Sequence, residues 1–266
     1  MTKNYNNPAV LLFSKIPGLA PCKTRLATST GLAEDFITNL ATAFLADSLE
    51  LISKYGTHAL FATQPEITPD KLARLINKTL KVELALDHLH LFPQTGNSFG
   101  QRLQNACEHS HSRHSSGVVV IGSDAPLLSP TTLEYACQIV AAGKFCLGPT
   151  PDGGIYLIGL PEIALARDFS LADVFEKKTD TELVSLAEKM SQFGPTLELL
   201  EFLFDVDIES DLVTLSSMIS ALQSAQKTAK ADKLWTPRHT TDFLSLHPIT
   251  ASRVGENNRH NSVTGG

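Results

Sequence analysis

Four apolar residues in a row, Val118-Val119-Val120-Ile121, end at once in Gly122-Ser123-Asp124-Ala125-Pro126. A β-branched run with no polar break fits a strand covered on both faces, as in a parallel sheet packed between helices. Ala9–Phe13 has the same character. His58–Ala62, Phe145–Gly148, Ile155–Ile158 and Leu197–Leu200 read as further short strands. Helical patterns lie between them. Leu32–Ile52 carries apolar residues at 36, 37, 40, 44, 45, 49 and 52, close to helical spacing. Pro69–Ile76 and the helix after Ser129-Pro130, which runs to Ala142, have proline in the first turn. Phe99–Cys107, Glu182–Met190 and Ser210–Leu222 complete the set. Strands alternating with helices predict an α/β fold with a mostly parallel central sheet and helices on both faces.

The 266 residues suffice for one large domain, and 42% hydrophobic with 19% charged residues is ordinary globular composition. The net charge of −6 argues against a general nucleic-acid binder, which would show a basic face, and leaves room for a local basic pocket. No stretch reaches the roughly 18 uninterrupted apolar residues of a membrane span, and no signal-peptide core is evident. Cys22, Cys107, Cys137 and Cys146 form no C-x-x-C pair and read as reduced thiols. The expected location is the cytoplasm. Three lysines, three arginines, two aspartates and one glutamate follow Leu222, so the end of the chain is net +3 while residues 1–222 carry −9. Residues 1–222 are therefore expected as the domain. Residues 223–266 are expected as a C-terminal extension, mostly loop and disordered after Val254.

In open α/β sheets ligands gather at the carboxyl ends of strands. The first strand leads into Ser14–Leu26, where Lys15, Lys23 and Arg25 could converge on phosphate oxygens. Gly18…Lys23-Thr24 imitates a P-loop, but the lysine comes one residue early and Cys22 replaces the second glycine. Asp124 could hold a hard cation, Mg²⁺ or Mn²⁺, or simply bond its own turn. Pro149-Thr150-Pro151-Asp152-Gly153-Gly154 is a turn signal in which Asp152 could bind or deprotonate an acceptor. Asp205-Val206-Asp207 sets alternate carboxylates on one side of an extended segment, able to complete a metal site with Asp124. Alternatively Asp207 and Asp211 cap the last helix. His109, His111 and His114 lack metal-site spacing and read as a solvated connection.

Taken in order, Lys15-x-Pro17…Lys23-Thr24-Arg25-Leu26, Gln94-Thr95-Gly96…Phe99-Gly100-Gln101-Arg102, Gly122–Pro126, Gly148-Pro149…Asp152-Gly153-Gly154 and Asp205-Val206-Asp207…Asp211-Leu212 resemble a bacterial family. It is the DUF2064 glycosyltransferase-like family, also called selenodomain-associated transferase 1 or the arsenosugar biosynthesis glycosyltransferase family. The family is placed in the nucleotide-diphospho-sugar transferase superfamily. The resemblance covers about residues 8 to 215. It implies a Rossmann-like GT-A fold and a transferase that takes a nucleotide-sugar or NTP and a small-molecule acceptor. Carried over, Lys15, Lys23 and Arg25 grip phosphates. Gln94 and Gly96 lie near the base, and Arg102 supports that loop or the phosphates. Asp124 holds the metal, with Asp207 as second ligand. Asp152, Gly153 and Gly154 face the acceptor. The chain departs from the family at Ala20, usually glycine, and at 176–181, where a Trp-x-Thr stretch is absent. The expected activity is metal-dependent glycosyl transfer. The alternatives are nucleotidyl transfer with release of pyrophosphate, or a nucleotide-binding module with a decayed site.

Overall fold

A computed structural model describes residues 7–84, 86, 89–113, 116–167, 169–176, 181–228, 235–253 and 261–265. Strand β1 (Ala9–Lys15) is followed by α1 (Thr24–Thr30), α2 (Glu34–Ser53), β2 (Ala59–Gln64), α3 (Pro69–Leu80), β3 (His90–Pro93), α4 (Phe99–Arg113) and β4 (Gly117–Ile121). Then come α5 (Pro130–Ala141), β5 (Phe145–Pro149), β6 (Ile155–Pro161), α6 (Glu162–Ala166), α7 (Ala172–Glu176), α8 (Glu182–Phe193) and β7 (Leu197–Leu199). The chain closes with α9 (Glu209–Thr228), α10 (Arg238–Leu246), β8 (Ile249–Arg253) and β9 (Asn261–Gly265).

The seven-stranded sheet has the order β3-β2-β1-β4-β6-β5-β7. All neighbours are parallel except β6, which runs antiparallel to β4 and β5. Side chains alternate across the strands. Val10, Leu12, Val119 and Ile121 face one core with α2, α3 and α5. Ala9, Leu11, Val118 and Val120 face the other with α4, α7 and α8. The expected mostly parallel α/β sheet with helices on both faces is therefore what forms. Its order reverses at β1, whose neighbours β2 and β4 are reached in opposite directions. The crevice at the carboxyl ends of β1 and β4 is the place where such a sheet binds ligands.

Helix α2 alone among the described helices is long and apolar enough by composition to cross a membrane. Its apolar residues are consumed by the fold. Leu45, Leu49 and Ile52 enter the core against the sheet. Leu40 and Phe44 enter a third core with α9 and α10. A helix buried on two sides must be apolar on two sides.

The C-terminal stretch differs from the loop expected there. Helix α9 runs through the boundary at 222/223 to Thr228, and α10 docks on α2. Asp47 of α2 accepts hydrogen bonds from the backbone N–H groups of His239 and Thr240 at 2.8 and 2.9 Å. This part of the anchor is polar, so hydropathy does not reveal it, while Phe243 and Leu244 supply an apolar part. Likewise His109 and His111 belong to the last turns of α4 rather than to a loop; His114 lies outside the described residues.

Candidate active site

The loop after β1 and the turn after β4 face each other across the crevice. The Ser14 and Ser123 hydroxyls meet at 2.7 Å and tie the two strand ends together. Lys23 stands in the left-handed region (φ 52) immediately before α1, which turns its side chain inward. Only 4% of that side chain is exposed. Its ammonium lies 2.9 Å from Asp124 and 2.9 Å from Asp207. A buried ammonium survives only when paired, and here it is paired twice. Desolvation alone would lower the Lys23 pKa, but the two carboxylates outweigh it and the value is raised. Arg25, in the first turn of α1, is 71% exposed and pairs with the other oxygen of Asp207.

Asp207 does not cap α9. Asp211 does that work: its carboxylate accepts from the N–H groups of Asp207 and Ile208, at 2.9 Å each. Asp207 is left free to face the two cations. Across the chain, then, the sequence-derived cations and carboxylates meet, although Lys23 and Arg25 are engaged by aspartates.

Two cavities adjoin at Asp124. The first, about 260 Å³, is lined by Lys15, Lys23, Gln94, Arg102, Ser123 and Asp124, with Cys22 at its side. Lys15 donates to the carbonyl of Pro21 at 3.2 Å. Gln94 spends its amide nitrogen on the carbonyls of Ser14 and Ala62, so it braces the ends of β1 and β2. The Arg102 Nε is buried and has no hydrogen-bond partner, an orphaned donor of the kind an anion satisfies. Burial is the main reason the Cys22 thiol is pushed up, so it stays protonated and is a poor nucleophile. Gly96 lines neither cavity. At φ +133 it lets the chain pass close to α4, where a Cβ would come within 2.9 Å of the backbone nitrogen of Arg102.

The second cavity, about 600 Å³, is lined by Arg25, Asp124, Asp152, Gly154, Glu182 and Asp205, with Phe13, Phe99, Tyr156 and Phe175 as apolar walls. Asp152 accepts from the Thr150 hydroxyl at 2.5 Å and from the Gly154 N–H at 3.1 Å. The Thr150 bond is the main reason that its carboxyl is held below the usual range, so it is a fixed acceptor. Asp205 goes the other way. Burial first, and Asp207 second, push it up to about 6. The sequence offers Asp205 with Asp207 as a carboxylate that could complete a metal site; its burial has no local sequence signal. Gly153 lines neither cavity but packs against Thr181. Residues 177–180, where the family stretch is replaced, lie outside the described residues.

Asp124 and Asp207 supply hard oxygen donors, the usual protein share of a magnesium site completed by phosphates and water. Such an ion needs oxygens at about 2.0–2.1 Å, much closer than the 2.9 Å contacts that both carboxylates make with Lys23. The donor chemistry thus fits Mg²⁺ or Mn²⁺, provided that the ammonium moves aside.

A crystal structure from Desulfovibrio desulfuricans G20, provisionally described as a nucleotide-diphospho-sugar transferase, superposes with a TM-score of 0.68 at 23% identity, covering 90% of this chain and 94% of that one. It shows the shared fold. A cytidylyltransferase from Leptospira borgpetersenii scores 0.48 at 14% identity, over 90% of this chain and 93% of that one. A manganese complex of the Mycobacterium tuberculosis H37Rv protein Rv0371c scores 0.45 at 15% identity, over 77% and 97%. No curated protein matches the sequence. Residues 58–176 match the family described as an uncharacterized protein conserved in bacteria, DUF2064. That span includes the Gln94–Arg102, Gly122–Pro126 and Gly148–Gly154 motifs, and leaves Lys15, Lys23, Arg25 and Asp207 outside it.

Proposed function

We propose that the protein is a metal-dependent glycosyltransferase that draws on a nucleotide-sugar donor. The observation that carries this reading is the Lys23 ammonium bridging Asp124 and Asp207 at 2.9 Å each, at the junction of the two cavities. The cationic cavity takes the donor's diphosphate and the larger one takes the acceptor.

Lys15, Arg102 and Lys23 bind phosphate oxygens, and Arg25 adds a planar fork from the rim. Lys23 changes partners in this step. It leaves the aspartates for phosphate and frees Asp124 and Asp207, which would hold Mg²⁺ or Mn²⁺. That ion, when bound, would supply neutralisation of the charge that grows on the departing nucleoside diphosphate. Asp152, held charged by Thr150, accepts a hydrogen bond from the acceptor hydroxyl and orients it. The walls formed by Phe13, Phe99 and Tyr156 exclude water from the transfer.

Nucleotidyl transfer from an NTP uses the same cations, and four of them suit a triphosphate as well as a diphosphate. Product analysis separates the two. Nucleoside diphosphate released from a sugar nucleotide supports glycosyl transfer, and pyrophosphate released from an NTP supports nucleotidyl transfer. Release of neither product, with any common base and in the presence of Mn²⁺, overturns the transferase reading.

A further inference from the structure

Behind the catalytic crevice, where α10 docks on α2, Asp47, Glu50 and His239 bring one ligand atom each within 4.8 Å of the others. Their spacing follows from the fold. Asp47 and Glu50 lie three residues apart on one face of α2, and His239 opens the helix packed against that face.

His239 is 6% exposed, and neither ring nitrogen has a hydrogen-bond partner. That is costly for a buried imidazole. Its Nε2 lies 3.2 Å from the Glu50 carboxylate, close enough for a hydrogen bond, yet the ring does not make one. A ring nitrogen and a carboxylate oxygen that stand this close without hydrogen-bond geometry between them suit a third atom bound to both. Ligands at about 2.0–2.1 Å from a tetrahedral ion stand roughly 3.3 Å apart, which matches this contact. Asp47 Oδ1 accepts a single hydrogen bond, from the His239 N–H, and a carboxylate oxygen has room for a second partner. Glu50 is half exposed and gives an ion a route from solvent.

We propose that Asp47, Glu50 and His239 form a three-ligand zinc site, separate from the catalytic crevice, that fastens α10 to α2. Imidazole with two carboxylates selects a borderline transition-metal ion over magnesium, and water would take the fourth position. A small cavity joins Asp47 and Trp235 to Gly122, Ala125 and Pro126. The cluster thus faces the turn that carries Asp124 across that cavity.

The test is equilibrium dialysis of the EDTA-stripped full chain against Zn²⁺, with metal analysis and thermal melts. Wild type is expected to retain one zinc per chain, against a tenfold excess of Mg²⁺, and to melt at a higher temperature with it. Glu50→Gln, at an exposed position that leaves the apo fold intact, is expected to bind Zn²⁺ at least tenfold more weakly. His239→Gln is expected to lose the zinc-dependent rise in melting temperature. Asp124→Asn is expected to bind zinc as wild type does, which separates this site from the catalytic carboxylates. Failure to retain zinc, displacement by Mg²⁺, or wild-type binding by both Glu50→Gln and His239→Gln overturns the proposal and leaves the transferase reading untouched.

Discussion

The backbone N–H of Val206 donates to the carbonyl oxygen of Asp124 at 2.9 Å. One hydrogen bond thus fixes the segment after the edge strand β7 to the turn after the central strand β4. Val206 itself is fully buried. Its flanking carboxylates are therefore pinned at the crevice, and Asp207 reaches the same Lys23 ammonium that Asp124 holds. The account of the site depends on this seam.

Asp124→Asn keeps the shape of the side chain and removes its charge. We expect turnover to fall by about 100-fold or more, the scale of losing one electrostatic contact to a developing charge. Stability should change by about 1 kcal/mol or less, because the Asp124 carboxylate is half exposed and Asp207 still pairs with Lys23. Steady-state kinetics and urea unfolding check both. Wild-type turnover would show that Asp124 is only a turn residue.

Lys23→Met removes the ammonium that occupies the space between the carboxylates. Binding of Mn²⁺ without nucleotide is expected to tighten at least tenfold, and binding of nucleoside diphosphate to weaken. Electron paramagnetic resonance of free Mn²⁺ and calorimetry read the two effects separately. Unchanged Mn²⁺ affinity would mean that the lysine and the ion do not share a place.

Asp152 carries a pH signature. Its carboxyl is depressed in the fold, chiefly by the Thr150 hydroxyl. A carboxyl lower in the folded than in the unfolded chain stabilises the fold above its unfolded value, and the contribution fades as pH falls through the folded value. The stability difference between wild type and Asp152→Asn should be full at about pH 7 and shrink below about pH 4. Urea unfolding across that range measures it. A difference that stays constant down to about pH 2 would contradict the assigned hydrogen bonds.

Gly153 sits at φ +87, and a Cβ there would lie 2.7 Å from Thr181. Both strain and crowding oppose alanine, so Gly153→Ala should destabilise the protein by about 1–3 kcal/mol. Its urea midpoint checks this. An unchanged midpoint would mean that the turn and Thr181 separate freely.

What the sequence discloses divides along physical lines. Strands β1 and β4 announce themselves because both faces are buried, leaving uninterrupted apolar runs. Strand β3 escapes notice because it is four residues long, half exposed, and holds a histidine and a proline. Helix α1 is hidden by its threonines and serine and by the left-handed Lys23 before it. Helix α10 docks by Phe243 and Leu244 and by the hydrogen bonds of Asp47 to His239 and Thr240, and apolar periodicity cannot register the latter. Within the site, Lys15, Lys23, Arg25, Asp124, Asp152 and Asp207 are visible as charged residues at strand ends. That Lys23 is held by carboxylates rather than standing open to a phosphate is not visible, because Asp207 is 184 residues away in the chain.

The most direct test of the central claim is calorimetric titration of nucleoside diphosphates, with Mn²⁺ present, into wild type and Arg102→Ala. The orphaned Arg102 Nε should meet the phosphates. At least one nucleotide is therefore expected to bind wild type, and at least tenfold more weakly to the variant. If none binds, or if wild type and variant bind alike, the cationic cavity is not a donor site and the account of transfer fails.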